Sequence, residues 1–194
     1  MEYTKLDKLI EIVFTAATDS EGGADPPQME RDEPSLELQT SGDRRDVDKL
    51  QLCRERIALT VSGKFGTSLI KRSRAMYWSA DHTRRMICAI SKRYERRGAP
   101  PYWYAYHPQW DDFLKDDLNS VFVLGCADLP KAFVIPRTVM QTLLPGLNIT
   151  IREGNSYYWH IHINERNAGD YSISLPKMAS AFSLKSFETA LKLL

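Results

Sequence analysis

Nine lysine and arginine side chains fall between residues 71 and 97, in three clusters. Lys71, Arg72 and Arg74 form the first, Arg84 and Arg85 the second, and Lys92, Arg93, Arg96 and Arg97 the third. Cations at this density repel one another unless something neutralises them. A nucleic-acid backbone does so while releasing its own counterions. The plainer alternative is a solvated face balanced by the protein's own carboxylates. The net charge of +1 conceals the imbalance. Residues 1–53 carry 6 Lys/Arg against 13 Asp/Glu, a balance of −7. Residues 54–98 carry 12 against 3, or +9, and residues 99–194 carry 8 against 9, or −1. Local field strength follows local charge, so an acidic arm ahead of a basic segment bears on the choice of partner.

Three other groupings could do chemistry. Gly63-Lys64-Phe65-Gly66-Thr67-Ser68 has the glycines and lysine of a phosphate loop, but Phe65 stands where a magnesium-binding Ser or Thr must follow the lysine. It reads as a helix stop and turn. His160 and His162 lie two apart on a strand, so both project from one face and could share a metal. A third ligand would have to come from a distant residue such as His107 or Asp111, and no metal is assigned. Tyr102, Tyr104 and Tyr106 alternate on one strand face, with Trp103 and His107 on the other. Exposed rings can stack unpaired bases, but aromatic strands more often fill a core, and the core reading is preferred.

The elements that would position these groups follow from periodicity. Leu6, Ile10, Val13 and Phe14 give residues 3–16 one apolar helical stripe, so residues 1–17 read as an amphipathic helix. Residues 18–46 are rich in Asp, Glu, Gly, Pro and Ser without an aromatic, which predicts a flexible acidic linker. A single domain over 47–194 should follow. It opens with a helix over about 47–61, with Asp46 as N-cap, Leu50, Cys53, Ile57 and Val61 at helical spacing, and Gly63 as the stop. Residues 75–79 and 86–91 form a hairpin around the turn 80–83, and 102–107 form an aromatic strand. A helical turn at 109–114 comes next, then strands at 121–124 and 133–135, and a helix over 137–144. Residues 159–163 and 171–175 pair antiparallel, and a helix from 184 to 194 closes the chain. The sum is an α/β domain with a mixed central sheet of five to seven strands flanked by helices.

Composition narrows the class further. No apolar run approaches the ~18–20 residues that span a bilayer, so no membrane partner is expected. Residues 1–8 are charged and lack an apolar h-region, so no signal peptide is expected. Cys53, Cys88 and Cys126 are odd in number and far apart, which argues against a disulfide framework and fits a reducing cytoplasm.

The stretches MYWSADHTRRMICAISKRY, PYWYAYHPQWDDFL and SVFVLGCADLPKAFVIP, within residues 74–145, resemble the PD-(D/E)XK restriction-endonuclease-like superfamily in their order of elements. In that superfamily a hairpin carries one acid, and the next strand ends in an acid-x-lysine pair. The carboxylates hold magnesium, and the lysine supports the attacking water at the scissile phosphate. The resemblance implies Asp81 as the hairpin acid and Lys92 as the lysine. Ile90 occupies the acid position two residues before Lys92, with Cys88 on the same face. An apolar lining does not hold a divalent cation. The resemblance therefore implies the fold used without catalysis: a nucleic-acid-associated module needing no cofactor. The alternatives are a magnesium-dependent nuclease using Asp81 and Lys92, or an adaptor that grips a protein partner or a second copy through residues 3–16.

Overall fold

The computed structural model describes residues 41–95, 98–152, 154 and 156–192, with backbone alone at 41–48. These lie within one compact unit, Gln39–Leu194. The expected helix at 3–16, most of the linker, and Arg96 and Arg97 lie outside the described residues.

Helix α1 spans Ser41–Phe65, longer at both ends than its apolar stripe implied. Asp46 lies inside it rather than capping it. The stop is Gly66, not Gly63. Gly66 adopts φ +67°, and the Thr67 N–H donates back to the Ser62 carbonyl at 3.2 Å. That is a left-handed glycine terminus closed by a six-to-one bond. Cys53, Ile57 and Val61 are buried as the spacing requires.

Strands β1 (Leu69–Lys71), β2 (Met76–Ser79) and β3 (Arg85–Ser91) form an antiparallel run at one edge of a six-stranded mixed sheet. Strand β4 (Tyr102–Tyr106) leaves this sheet for a second one. Helix α2 (Pro108–Leu114) brings the chain back to β5 (Val121–Cys126), parallel to β3, then β6 (Lys131–Pro136) and helix α3 (Arg137–Leu143). Strands β7 (Ile149–Ile151), β8 (Tyr157–Asn167), β9 (Asp170–Leu175) and β10 (Ser180–Ser183) join β4 in the second sheet. Strand β11 (Glu188–Ala190) returns to pair with β6. The expected mixed sheet flanked by helices is present, and a second sheet lies beside it.

Two apolar layers result. Cys53, Ile57 and Val61 of α1 pack on Tyr77, Met86, Cys88, Val121 and Val123, which face one side of the six-stranded sheet. The other side, with Ile87, Phe122, Leu124, Phe133 and Ile135, packs on Tyr102, Tyr104, Tyr106, Ile161, Ile163 and Ile173 of the second sheet. The preferred core reading of the β4 tyrosines holds: all three are buried. Each keeps its hydroxyl bonded, as a buried phenol must. Tyr102 donates to both carboxylate oxygens of Asp128 at 2.9 Å, Tyr104 to the Gly125 carbonyl at 2.9 Å, and Tyr106 to Asp111 at 3.0 Å. Burial drives the Tyr104 phenol well above its ordinary value, so it stays a donor at every physiological pH.

The closing helix expected over 184–194 is not formed. A short 3-10 turn, Lys185–Phe187, leads into β11. The leucines that suggested one helical stripe belong to different layers: Leu184 joins the core between the sheets, and Leu191 the core beneath α1. One stripe cannot serve both sides of a sheet. Tyr104→Phe removes the one hydroxyl that bridges from β4 to the β5 backbone inside the core. Urea unfolding should show a midpoint shift equivalent to about 1–3 kcal/mol with an unchanged slope; an unaltered midpoint would show that the bond contributes nothing net.

Candidate nucleic-acid interface

The structure divides the predicted cations by their partners. Arg85 donates to Asp116 at 2.7 Å and to the Phe113 carbonyl at 2.8 Å, and its guanidinium lies 5.3 Å from the Phe113 ring centre. Arg84 stands 3.8 Å from the buried Asp117 carboxylate, which also accepts the Arg85 N–H at 2.9 Å and the Asn119 N–H at 2.8 Å. Arg93 ion-pairs with Glu165, approaches Asp128 at 3.5 Å and lies over the Tyr102 ring. The Gly169 N–H, with Tyr171 and Arg93 behind it, holds the Glu165 carboxyl below its usual range. These three arginines tie strand ends to loops of the same domain.

Lys71, Arg72 and Arg74 are placed differently. They occupy the exposed end of edge strand β1 and the turn into β2, and all three are exposed. Lys71 lies opposite Tyr77, and Ile70 opposite Trp78. The Arg72 guanidinium sits 4.4 Å from the centre of the Trp78 ring. That indole is partly exposed, and His82 stacks on it at 4.0 Å with planes 18° apart. Cation, indole and imidazole thus form one cluster at the open edge of the sheet. Arg72 from the first basic cluster and His82 from the β2–β3 turn both reach the Trp78 ring. Charge density marks the cations in the sequence, whereas Trp78 and His82 meet only through the fold of the turn between them, which no periodicity encodes.

Asp81 and Lys92 are not brought together. Asp81 lies in the β2–β3 turn and Lys92 just past the far end of β3, a seven-residue strand about 20 Å long. Asp81 is committed to the turn. It accepts from the Ser79 hydroxyl, from the Thr83 N–H at 3.2 Å and from the Thr83 hydroxyl at 3.0 Å. Those bonds, that from Ser79 first, hold its carboxyl below the usual range. On the β3 face shared with Lys92, Cys88 lies in the core beneath α1 and Ile90 packs against that core. No group of three His, Cys, Asp or Glu side chains spaced to hold a metal occurs among the described residues.

The histidine pair on β8 is engaged in the sheet. Trp103 Nε1–H donates to His160 Nδ1 at 3.1 Å, so His160 Nε2 carries the proton and donates to Thr150 at 2.6 Å. Both ring nitrogens are used. His162, 6.0 Å from His160 between ring centres, is held below the ordinary value of 6.5 by burial and then by His160. Among the described residues no helix is long and apolar enough to cross a membrane.

Comparison with known proteins gives no guide: no family model, no curated protein and no solved structure matches this chain. The fold class therefore stands on the architecture alone, a mixed α/β domain of two sheets with α1 on the outer face of the larger.

A group whose folded pKa is depressed binds its proton less readily when folded, so stability falls as pH drops below the unfolded value. For His162 the loss begins near pH 6.5, above the range where carboxylates titrate. The melting temperature should fall between pH 7.5 and 5.5, and His162→Gln should flatten that part of the profile; an identical slope in the variant would remove His162 as its source.

Proposed function

We propose that this protein is a non-catalytic nucleic-acid-binding module whose contact surface is the β1–β2 edge. Lys71, Arg72 and Arg74 supply phosphate contacts there. The observation that carries the reading is the Arg72–Trp78–His82 cluster, in which a guanidinium and an exposed imidazole both lie over a partly exposed indole at the sheet edge. A purely solvated basic face has no need of stacked rings, whereas a nucleic-acid site uses charge for affinity and rings for bases. Arg84, Arg85 and Arg93 serve the scaffold instead, because their carboxylate partners are already within reach. The restriction-endonuclease-like resemblance enters as a degenerate scaffold, with Ile90 where an acid would stand. The proposal invokes no metal and no hydrolysis.

The test is binding of a mixed-sequence oligonucleotide across a salt series. The logarithm of affinity should fall linearly with the logarithm of salt concentration. Replacing Lys71, Arg72 and Arg74 together by Gln should weaken binding and reduce that slope by about 2–3, as expected for roughly three lost phosphate contacts. Arg93→Gln should lower stability and leave the slope in place. No binding, or a slope near zero at low salt, would sink the proposal.

A further inference from the structure

We infer that the open face of His82 is a stacking seat for an unpaired nucleobase, so that this surface takes single-stranded rather than duplex nucleic acid; the inference rests on the nucleic-acid reading above and specifies its ligand. The column begins in the fold and ends in solvent. The Trp78 indole packs against the core between the sheets, 6.3 Å from the Phe113 ring centre. His82 lies nearly parallel upon it at 4.0 Å and is itself exposed. A base laid on the imidazole would extend the same column by one ring. Every base has a π-face, so such a seat tolerates any sequence.

The backbone is arranged to hold that imidazole in place. His82 has φ +60°, and with Ala179 it is one of the non-glycine residues at positive φ among the described residues. A left-handed conformation at a side-chain-bearing residue persists where its surroundings over-determine it. Here they do. The His82 N–H donates to the Ser79 carbonyl at 2.9 Å, and the Arg84 N–H to the Ser79 hydroxyl at 3.0 Å. Asp81 gathers the hydroxyls of Ser79 and Thr83 from either side. The buried Ser79 and the exposed Asp81 thus act as positioning residues for a ring whose outer face touches nothing in the core.

The surroundings identify the ligand. Ile70, 50% exposed, shares the Trp78 face and adds an apolar floor. Arg72 lies over the same indole, so a stacked base would meet a guanidinium beside it that can take a phosphate. A base inside a duplex has both faces covered by its neighbours and cannot join the column without unstacking. Among the described residues, the outer face of the second sheet offers no equal seat. Its Trp103 and His160 are tied edge to edge, and Tyr158 is buried.

Fluorescence anisotropy with three labelled probes tests this: a twelve-nucleotide oligothymidine, an abasic strand of the same length, and a twelve-base-pair duplex. The full-length protein should bind oligothymidine at least about five-fold more tightly than the abasic strand, the scale of one stacked base, and more tightly than the duplex. His82→Asn keeps a residue that tolerates positive φ and removes the ring; it should bring oligothymidine down to the abasic level. Equal binding of the three probes by the unaltered protein, with a normal salt slope, would overturn the stacking seat and leave the basic surface standing. A preference that survives His82→Asn would equally overturn it. Absence of binding to every probe would remove both readings.

Discussion

Strand β4 must satisfy two demands at once: fill the gap between two sheets with large rings, and leave no phenol unpaired within it. Tyr102, Tyr104 and Tyr106 meet both. Their rings lie in the core, and their hydroxyls reach Asp128, the Gly125 carbonyl and Asp111 at successive heights along the strand. Arg93 and Arg137 then brace the two outer carboxylates. For Asp111, burial pushes the carboxyl up, but the bonds from Arg137 and Tyr106 outweigh it and keep it ionised. The second sheet is thereby fixed over β3, β5 and β6, because the hydroxyls accept no other register without orphaning a buried polar group. At Gly125 the packing is as tight from the other side. A Cβ there would come within 2.6 Å of Ile57 on α1, so the absence of a side chain lets helix, sheet and tyrosine meet.

That arrangement determines which cations face solvent. With β4 anchored, the α2–β5 loop falls beside the β2–β3 turn, and Asp116 and Asp117 reach Arg85 and Arg84. At the other end of β3, Glu165 and Asp128 reach Arg93. Lys71, Arg72 and Arg74 lie at the exposed end of edge strand β1 and in the turn after it. The positive block seen in the sequence is thus spread over the sheet edge and both ends of β3.

Much of the scaffold was readable from residue order. Cys53, Ile57 and Val61 marked α1, the runs at 75–79 and 86–91 gave the first hairpin, and alternation at 159–163 and 171–175 found the β8–β9 pair. The second sheet was hidden because β7 and β10 are only three and four residues long, too short for a period to register. The C-terminal leucines misled, since helical spacing says nothing about which side of a sheet each residue must serve. The site was legible in part. Charge density pointed to the hairpin, but the pairing of Arg84, Arg85 and Arg93 depends on acids 31 to 72 residues away in sequence. The separation of Asp81 and Lys92 was already implicit in the strand expected over 86–91, which the structure shows as β3.

The most direct test of this division of charge is to map amide chemical shifts of the labelled protein during titration with a short oligothymidine. The account predicts that the largest changes fall in residues 69–84, with the indole N–H of Trp78 among them, while the amides around Arg93, Asp128 and Glu165 stay in place. Changes concentrated around Arg93 or across the outer face of the second sheet, with residues 69–84 silent, would contradict it.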